Sequence, residues 1–297
     1  MVFTVVAALG AALCWAVGGM ISVEPSRVLG ALAFNRLRMS IVTAMLWLMT
    51  LLTGAWHSLQ PEMFGALILS GVVGILLGDT LLFAGLRRVG PRRNAVVFAT
   101  NAPMTVLLAW LFLGDTLAPV AAGGCLLVTI GVVIAILFGK RRAQIHQWET
   151  VQGPLWQGIA FGLAAALCQA LGVLIAKPVM QHGVDPVAAS AVRTAVSALA
   201  LTLWFLLPAS RRYAGPKLTW RLVGRVALSG AIGMALGMTL LLQALATGEA
   251  GLVATLSATS PILVLPVLWA VTRERPTGWA WLGAALAVAG TSCLFLV

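Results

Sequence analysis

Ten apolar runs follow one another along the chain, at 2–21, 28–53, 63–86, 94–113, 118–138, 155–176, 185–207, 223–246, 250–271 and 277–297. A helix of about 20 residues is what the hydrocarbon core of a bilayer requires. Inside hydrocarbon every backbone N–H and C=O must find its partner within the chain, so these runs have to be helices, and the alternating pattern of barrel strands is absent. Hydrophobic residues make up 61% of the 297 and charged residues only 9%, with a mean hydropathy of +1.02. That composition excludes a water-soluble globule and a single-pass anchor. The net charge of +11 is no footprint of nucleic-acid binding either, because the Lys and Arg fall in short gaps between apolar runs and build no polar face.

The charge reports orientation instead. The connections after the first, third, fifth, seventh and ninth runs hold Arg27; Arg87, Arg88, Arg92 and Arg93; Lys140, Arg141 and Arg142; Arg211, Arg212, Lys217, Arg221 and Arg225; and Arg273 and Arg275, fifteen in all, while the opposite side holds only Lys177. The positive-inside rule then puts those connections in the cytoplasm and both termini outside. The first run lacks a basic leading segment and a cleavage-like boundary, so it is expected to remain as a span.

Little in the sequence points to catalysis. Cys14, Cys125, Cys168 and Cys293 lie inside apolar runs without metal-type spacing, and His57, His146 and His182 are far apart, so packing is the expected role of the cysteines and no metal or cofactor is expected. Phosphate-cradling and nucleophile-elbow motifs are missing, which leaves ATP hydrolysis, dinucleotide chemistry and serine hydrolysis without their usual support.

The two halves of the chain repeat one another. AALCWAVG (Ala11 to Gly18) returns as AALCQALG (Ala165 to Gly172), and SGVVGILLGDT (Ser70 to Thr80) returns as SGAIGMALGMT (Ser229 to Thr239). Arg36 and Arg193, each 11 residues before a tryptophan (Trp47, Trp204), and the prolines Pro103 and Pro261 extend the match. Each half, 1–144 and 145–297, has five spans. Five is odd, so the second half enters the bilayer from the opposite face, and an in-plane pseudo-two-fold axis relates the two. The expected fold is an all-α polytopic membrane protein of ten helices in two inverted five-helix repeats.

The segments Gly78 to Asp115 (GDTLLFAGLRRVGPRRNAVVFATNAPMTVLLAWLFLGD) and Gly237 to Glu274 (GMTLLLQALATGEAGLVATLSATSPILVLPVLWAVTRE) resemble the third-to-fourth-span signature of EamA-type members of the drug/metabolite transporter superfamily. The resemblance rests on an A-L-x-x-x-G turn, a mid-span Pro and a closing L-G-E/D, with Trp15 and Arg36 where the family often has them. It covers nearly the whole chain. It implies a ten-helix secondary transporter, often an exporter, for small metabolites, and no enzyme. Family members usually have cytoplasmic termini, whereas the charge count here places them outside.

Several residues are candidates for the mechanism. Asp79 is the one acid well inside a span, where it costs about 2.5–3.5 kcal/mol on insertion scales, and its repeat counterpart is Met238. Two readings are open for it: a protonatable or substrate-binding group, or a hairpin ion pair with Arg87, Arg88, Arg92 or Arg93. Arg36 and Arg193 could attract carboxylates or phosphates to a central site or could snorkel, and Arg38, on another face, looks more like a snorkeller. Pro103 and Pro261 interrupt corresponding spans, with Thr100, Asn101, Thr259 and Ser260 beside them, the arrangement that marks a binding site in broken-helix carriers. Trp15, its counterpart Gln169, and Gln243 are further polar or amphipathic groups at mid-span, and packing is the competing reading for Trp15. Gly74 with Gly78, and Gly233 with Gly237, are small-residue pairs suited to close helix contact.

These features predict alternating-access transport of small polar metabolites, such as amino acids or related compounds, across a bacterial inner membrane, with proton coupling through Asp79 as an option. A flippase for a lipid or lipid-linked metabolite and a non-transporting partner subunit are the alternatives. The expected partners are the metabolite and membrane lipid, with no nucleic acid, in a monomer or homodimer.

Overall fold

The structure is a computed structural model, and it describes residues 2–98, 100–112, 119–138, 153–206, 218–257, 259–260, 262–263, 266 and 277–294. The described elements are all helical. They are α1 (Val2–Leu29), α2 (Ala31–Thr53), α3 (Phe64–Ser70), a π-helical segment (Gly71–Leu77), α4 (Gly78–Phe98), α5 (Asn101–Phe112), α6 (Pro119–Phe138), α7 (Leu155–Gln181), α8 (Pro186–Leu206), α9 (Trp220–Gly230), a second π-helical segment (Ala231–Leu236), α10 (Gly237–Thr247), α11 (Ala250–Ser257) and α12 (Gly278–Leu294). Among the described residues six helical stretches are long and apolar enough to cross a membrane: Val2–Leu29, Ala31–Thr53, Pro61–Val89, Leu155–Gln181, Pro186–Leu206 and Trp220–Thr247. This is an integral, multi-pass, all-α membrane protein.

Six hydroxyl side chains inside these helices are bonded locally, whereas the buried Thr43 and Thr50 hydroxyls find no partner among the described residues. Ser22, Thr105, Thr129, Thr194, Thr239 and Thr255 each donate to the carbonyl four residues back, at 2.6–2.9 Å, so none of these six hydroxyl protons faces hydrocarbon without an acceptor.

Two boundaries differ from the sequence expectation. The connection expected at 22–27 is helical: α1 runs on to Leu29 through Pro25, and a single residue, Gly30, joins it to α2. Its φ of +82° is a left-handed value that only glycine adopts without strain. In the second half α7 runs on to Gln181, which takes Lys177 out of the expected loop and buries it within the helix. By contrast, the break expected between 86 and 94 is seen as a reversal. A straight helix would separate residues 82 and 94 by about 18 Å, yet Asn94 Nδ2 donates to the Leu82 carbonyl at 3.2 Å, so α4 doubles back between them. Gly85 permits this, because a Cβ there would lie 2.4 Å from Asn94 Oδ1.

The long helices of the first half pack against those of the second in antiparallel register. Along α1, Thr4 bonds Thr247, Gly10 meets Leu240, Gly18 meets Gly233 and Glu24 pairs with Arg225. Along α7, Gly158 meets Val89, Gly172 meets Gly74, and the Gly172 carbonyl accepts from Ser70 Oγ at 2.6 Å. A Cβ added at Gly18 or Gly172 would come within 2.8 Å or 2.7 Å of the Cα of Gly233 or Gly74, respectively. Glycine is required at both crossings because backbone meets backbone there.

Candidate functional site: two buried arginines on π-helical segments

α2 and α8 begin at Ala31 and Pro186, and each carries a buried arginine seven residues further on, Arg38 and Arg193. Three residues before each arginine, on the same helix face, stands a polar residue, Asn35 or Ser190. The π segments place the partners. A π turn adds a residue to the helical repeat and so rotates everything that follows. One glycine past Gly71–Leu77 come Asp79 and Thr80; one glycine past Ala231–Leu236 come Met238 and Thr239.

The resulting contacts match in register. Arg38 Nη1 donates to Asp79 Oδ2 at 3.0 Å, and Asn35 Nδ2 donates to Thr80 Oγ1 at 3.1 Å. In the second set Arg193 Nη1 donates to Met238 Sδ at 3.1 Å, and Ser190 Oγ lies 3.5 Å from Thr239 Oγ1, whose proton goes to the Ala235 carbonyl. Each guanidinium also lies on a glycine of the other half's π segment. A Cβ at Gly233 would stand 3.2 Å from Arg38 Nη2, and one at Gly74 would stand 3.2 Å from Arg193 Nη2. Phe83 flanks Arg38 with its ring centroid 5.3 Å from Cζ, close enough for a cation–π contribution.

The two sets differ in charge. Arg38 has a carboxylate, and the side chains of this pair are 7% and 14% exposed. Arg193 is fully buried, has a thioether in the corresponding place, and its Nε finds no hydrogen-bond partner among the described residues. Asp79 is also within electrostatic reach of Arg193. The cluster therefore holds two guanidinium groups and one carboxylate.

The candidate residues fall as follows. Asp79 and Arg193 come together as just described. Trp15 lies half-buried against Gly237, where a Cβ would be 3.1 Å from its indole Nε1, beside Met238. Gln169 is buried on α7, and its neighbour Cys168 packs on Gly78, the residue before Asp79. Gln243 is half-buried on α10.

Arg36 is half-buried. It stacks over the Phe205 ring at 4.3 Å, and it is Arg38, expected to snorkel, that is buried and corresponds to Arg193. Asp79 bonds Arg38, which is not among the arginines of its hairpin reading; of those, the side chains of Arg92 and Arg93 lie outside the described residues.

Pro103 is not at mid-helix. It is the third residue of α5, after a break at Thr100, and its side chain is exposed; a proline in the first turn forfeits no intrahelical hydrogen bond. At that break Thr100 Oγ1 donates to the Val97 carbonyl at 2.6 Å and Asn101 Nδ2 to the Phe98 carbonyl at 2.6 Å. Thr259 makes the same local bond after α11, to the Leu256 carbonyl at 2.7 Å, with half-buried Ser260 next to it. Pro261 lies outside the described residues.

Arg38, Asn35 and the π segments were missed by sequence reasoning. The signal that finds them is distance from the helix start, which is the same for Arg38 and Arg193 and differs for Arg36.

Among the described residues no group of three or more His, Cys, Asp or Glu gathers as a metal site. A family model of EamA-like transporters matches the chain over residues 2–137 and 156–296. The chain belongs to the EamA-like transporter family. This EamA protein is thus a multi-pass membrane transporter of the drug/metabolite transporter superfamily. One solved crystal structure, described only as that of a protein, has the same fold, with a TM-score of 0.79 at 18% identity over 99% of this chain and 96% of the other. No curated protein matches the sequence.

Proposed function

We propose that this EamA protein is a secondary active transporter for small polar metabolites, working by alternating access of two inverted five-helix halves, 1–144 and 145–297. The observation that carries the reading is the reciprocal packing of the halves. The first helix of each half runs antiparallel against the π-containing span of the other, through Gly18 on Gly233 and Gly172 on Gly74. The family model's match to each half in turn adds support. Glycine-to-glycine crossings are smooth surfaces on which paired helices can rock, and the polar cluster sits on them from both sides. In this reading the ten spans place the basic connections in the cytoplasm and both termini outside.

Reconstitution into liposomes tests the proposal. Purified protein should accumulate or release a water-soluble metabolite down an imposed ion or substrate gradient, and excess unlabelled substrate on the far side should accelerate exchange. Movement of a fluorescent lipid without metabolite flux would replace the reading with that of a flippase.

A further inference from the structure

We infer that Arg27 and Arg87 together hold the phosphate of an anionic phospholipid at the corner where α1 turns into α2. This site is separate from the central arginine cluster, and it does not depend on what the protein transports.

The two arginines reach the same level of the bundle from different helices. Val2–Leu29 and Pro61–Val89 are both long and apolar enough to span, and Arg27 and Arg87 each stand two residues before the end of one of them. Arg87 Nη1 lies 3.7 Å from where a Cβ would stand on Gly30, three residues beyond Arg27. The two guanidinium groups are within electrostatic reach of each other. Both side chains are half-buried, so they stand at an accessible edge and not in the core.

Packing beneath them, and not mutual attraction, brings these cations together. Phe34 and Phe83 meet edge-on at 4.7 Å, in an apolar cluster with Ala31 and Val226 that Leu29 and Leu86 pack against. That cluster fixes the α1–α2 corner on α4 and leaves two like charges side by side. Among the described residues no carboxylate is within ion-pair distance of Arg87, and Glu24, one turn before Arg27, is engaged by Arg225. Arg88 turns the other way, over the Phe161 ring at 4.7 Å. An anion seated between Arg27 and Arg87 converts their repulsion into two attractions, and the planar fork of a guanidinium matches the paired oxygens of a phosphate.

Position selects lipid as the source of that phosphate. Helix ends of spanning segments lie at the headgroup level, where basic residues meet anionic lipid. Val28, next to Arg27, is 47% exposed and offers an acyl chain an apolar contact that a soluble anion cannot use.

The test melts the full-length protein in a neutral detergent, alone and with phosphatidylglycerol, phosphatidylcholine, glycerol phosphate or inorganic phosphate. Phosphatidylglycerol should raise the apparent melting temperature by about 3 °C at saturation and should remain bound in native mass spectrometry, and the other three should do neither. Arg27→Gln and Arg87→Gln should each cut the rise to below about 1 °C and lose the bound lipid. Arg221→Gln, which removes an exposed arginine of the same cytoplasmic group, should change neither readout.

An equal rise with phosphatidylcholine would assign the effect to acyl chains, and an equal rise with either soluble phosphate would assign it to a soluble anion. Equal loss in Arg221→Gln would make it diffuse attraction to a basic surface. Each of these overturns the inference, as does a full response in both Arg27→Gln and Arg87→Gln, or no response of the parent protein to phosphatidylglycerol. The measurements on the parent decide the question even if both arginine variants fail to fold.

Discussion

Replacing Arg38 by methionine keeps the length of the side chain and removes its charge, leaving Asp79 buried with its main partner gone. The pair is 3.0 Å apart with side chains 7% and 14% exposed, so it falls in the class where one-sided removal costs about 3–5 kcal/mol. Arg193 is within electrostatic reach of Asp79 and should take up part of the loss, which favours the lower end. At about 2 °C per kcal/mol for a chain of this size, Arg38→Met should lower the apparent melting temperature by about 6 °C. Removing both charges, as in Arg38→Met with Asp79→Leu, should restore most of that stability, because apolar replacement of a whole buried pair is often neutral or better. The double-mutant cycle should therefore return a coupling of about 2 kcal/mol or more. Arg36→Met is the control: it removes only a half-buried stacking contact with Phe205, worth about 0.5–1 kcal/mol, and should shift the midpoint by about 2 °C or less. Thermal unfolding of detergent-solubilised protein, followed by size exclusion, measures these three variants together with Asp79→Leu alone, which the cycle needs. Equal losses for Arg36→Met and Arg38→Met, or additive effects in the double variant, would refute the assignment of the buried pair.

Other consequences of the geometry are open to measurement. Gly172→Ala and Gly18→Ala should each destabilise by about 1–3 kcal/mol through overpacking, since the new Cβ meets the Cα of Gly74 or Gly233. Gly19→Ala, with nothing within 4 Å of its Cβ, should be neutral or gain up to about 1 kcal/mol of helix propensity, and the same melting assay ranks the three. The Glu24–Arg225 pair has both side chains 54% exposed, so Glu24→Gln should cost no more than about 1 kcal/mol, with the difference fading in high salt. Alkaline phosphatase fused to the C-terminus should be active in intact cells if the charge bias sets the orientation; an inactive phosphatase beside a fluorescent cytoplasmic reporter at the same point would reverse the topology.

Six spans were legible because hydrocarbon leaves the backbone one option, and the glycines that meet at the crossings recur in both halves, although the helices they join were not legible. The arginine register was not. Counting back from Trp47 and Trp204 selects Arg36, whereas counting forward from the helix starts selects Arg38. Two residues on a helix are about 200° of rotation, enough to exchange the buried face for one that stacks on Phe205. Tryptophans near span ends follow the membrane interface, while the depth of a buried group follows the start of its own helix, so the second ruler is the physical one. The π segments had no signature beyond the SGxxGxxLGxT repeat itself. The single-residue link at Gly30 was hidden because Glu24, Pro25 and Arg27 resemble a loop, although Glu24 is held by Arg225 across the bundle.

The repeat is strict where backbone meets backbone and relaxed where charge resides. Gly71 and Gly230, Gly74 and Gly233, and Gly18 and Gly172 are matched pairs that all face the partner half: a Cβ at Gly18, Gly71 or Gly172 would come within 2.8 Å of its backbone, one at Gly230 within 2.7 Å of Val42, and one at Gly74 or Gly233 within 3.2 Å of an arginine. Asp79 and Met238 lie one step beyond those contacts, where a side chain can differ without moving the backbone. A duplicated unit that kept both acids would carry two closed ion pairs and no net charge at its centre. With one acid replaced by methionine, a single carboxylate is left between two guanidinium groups, and it cannot neutralise both at once. If the halves exchange between two arrangements, as the proposed function requires, the asymmetric charge makes those arrangements unequal in energy. A ligand can bias such an equilibrium only through a difference in its affinity for the two states, and the charge imbalance among Arg38, Asp79 and Arg193 is an asymmetry on which such a difference could act.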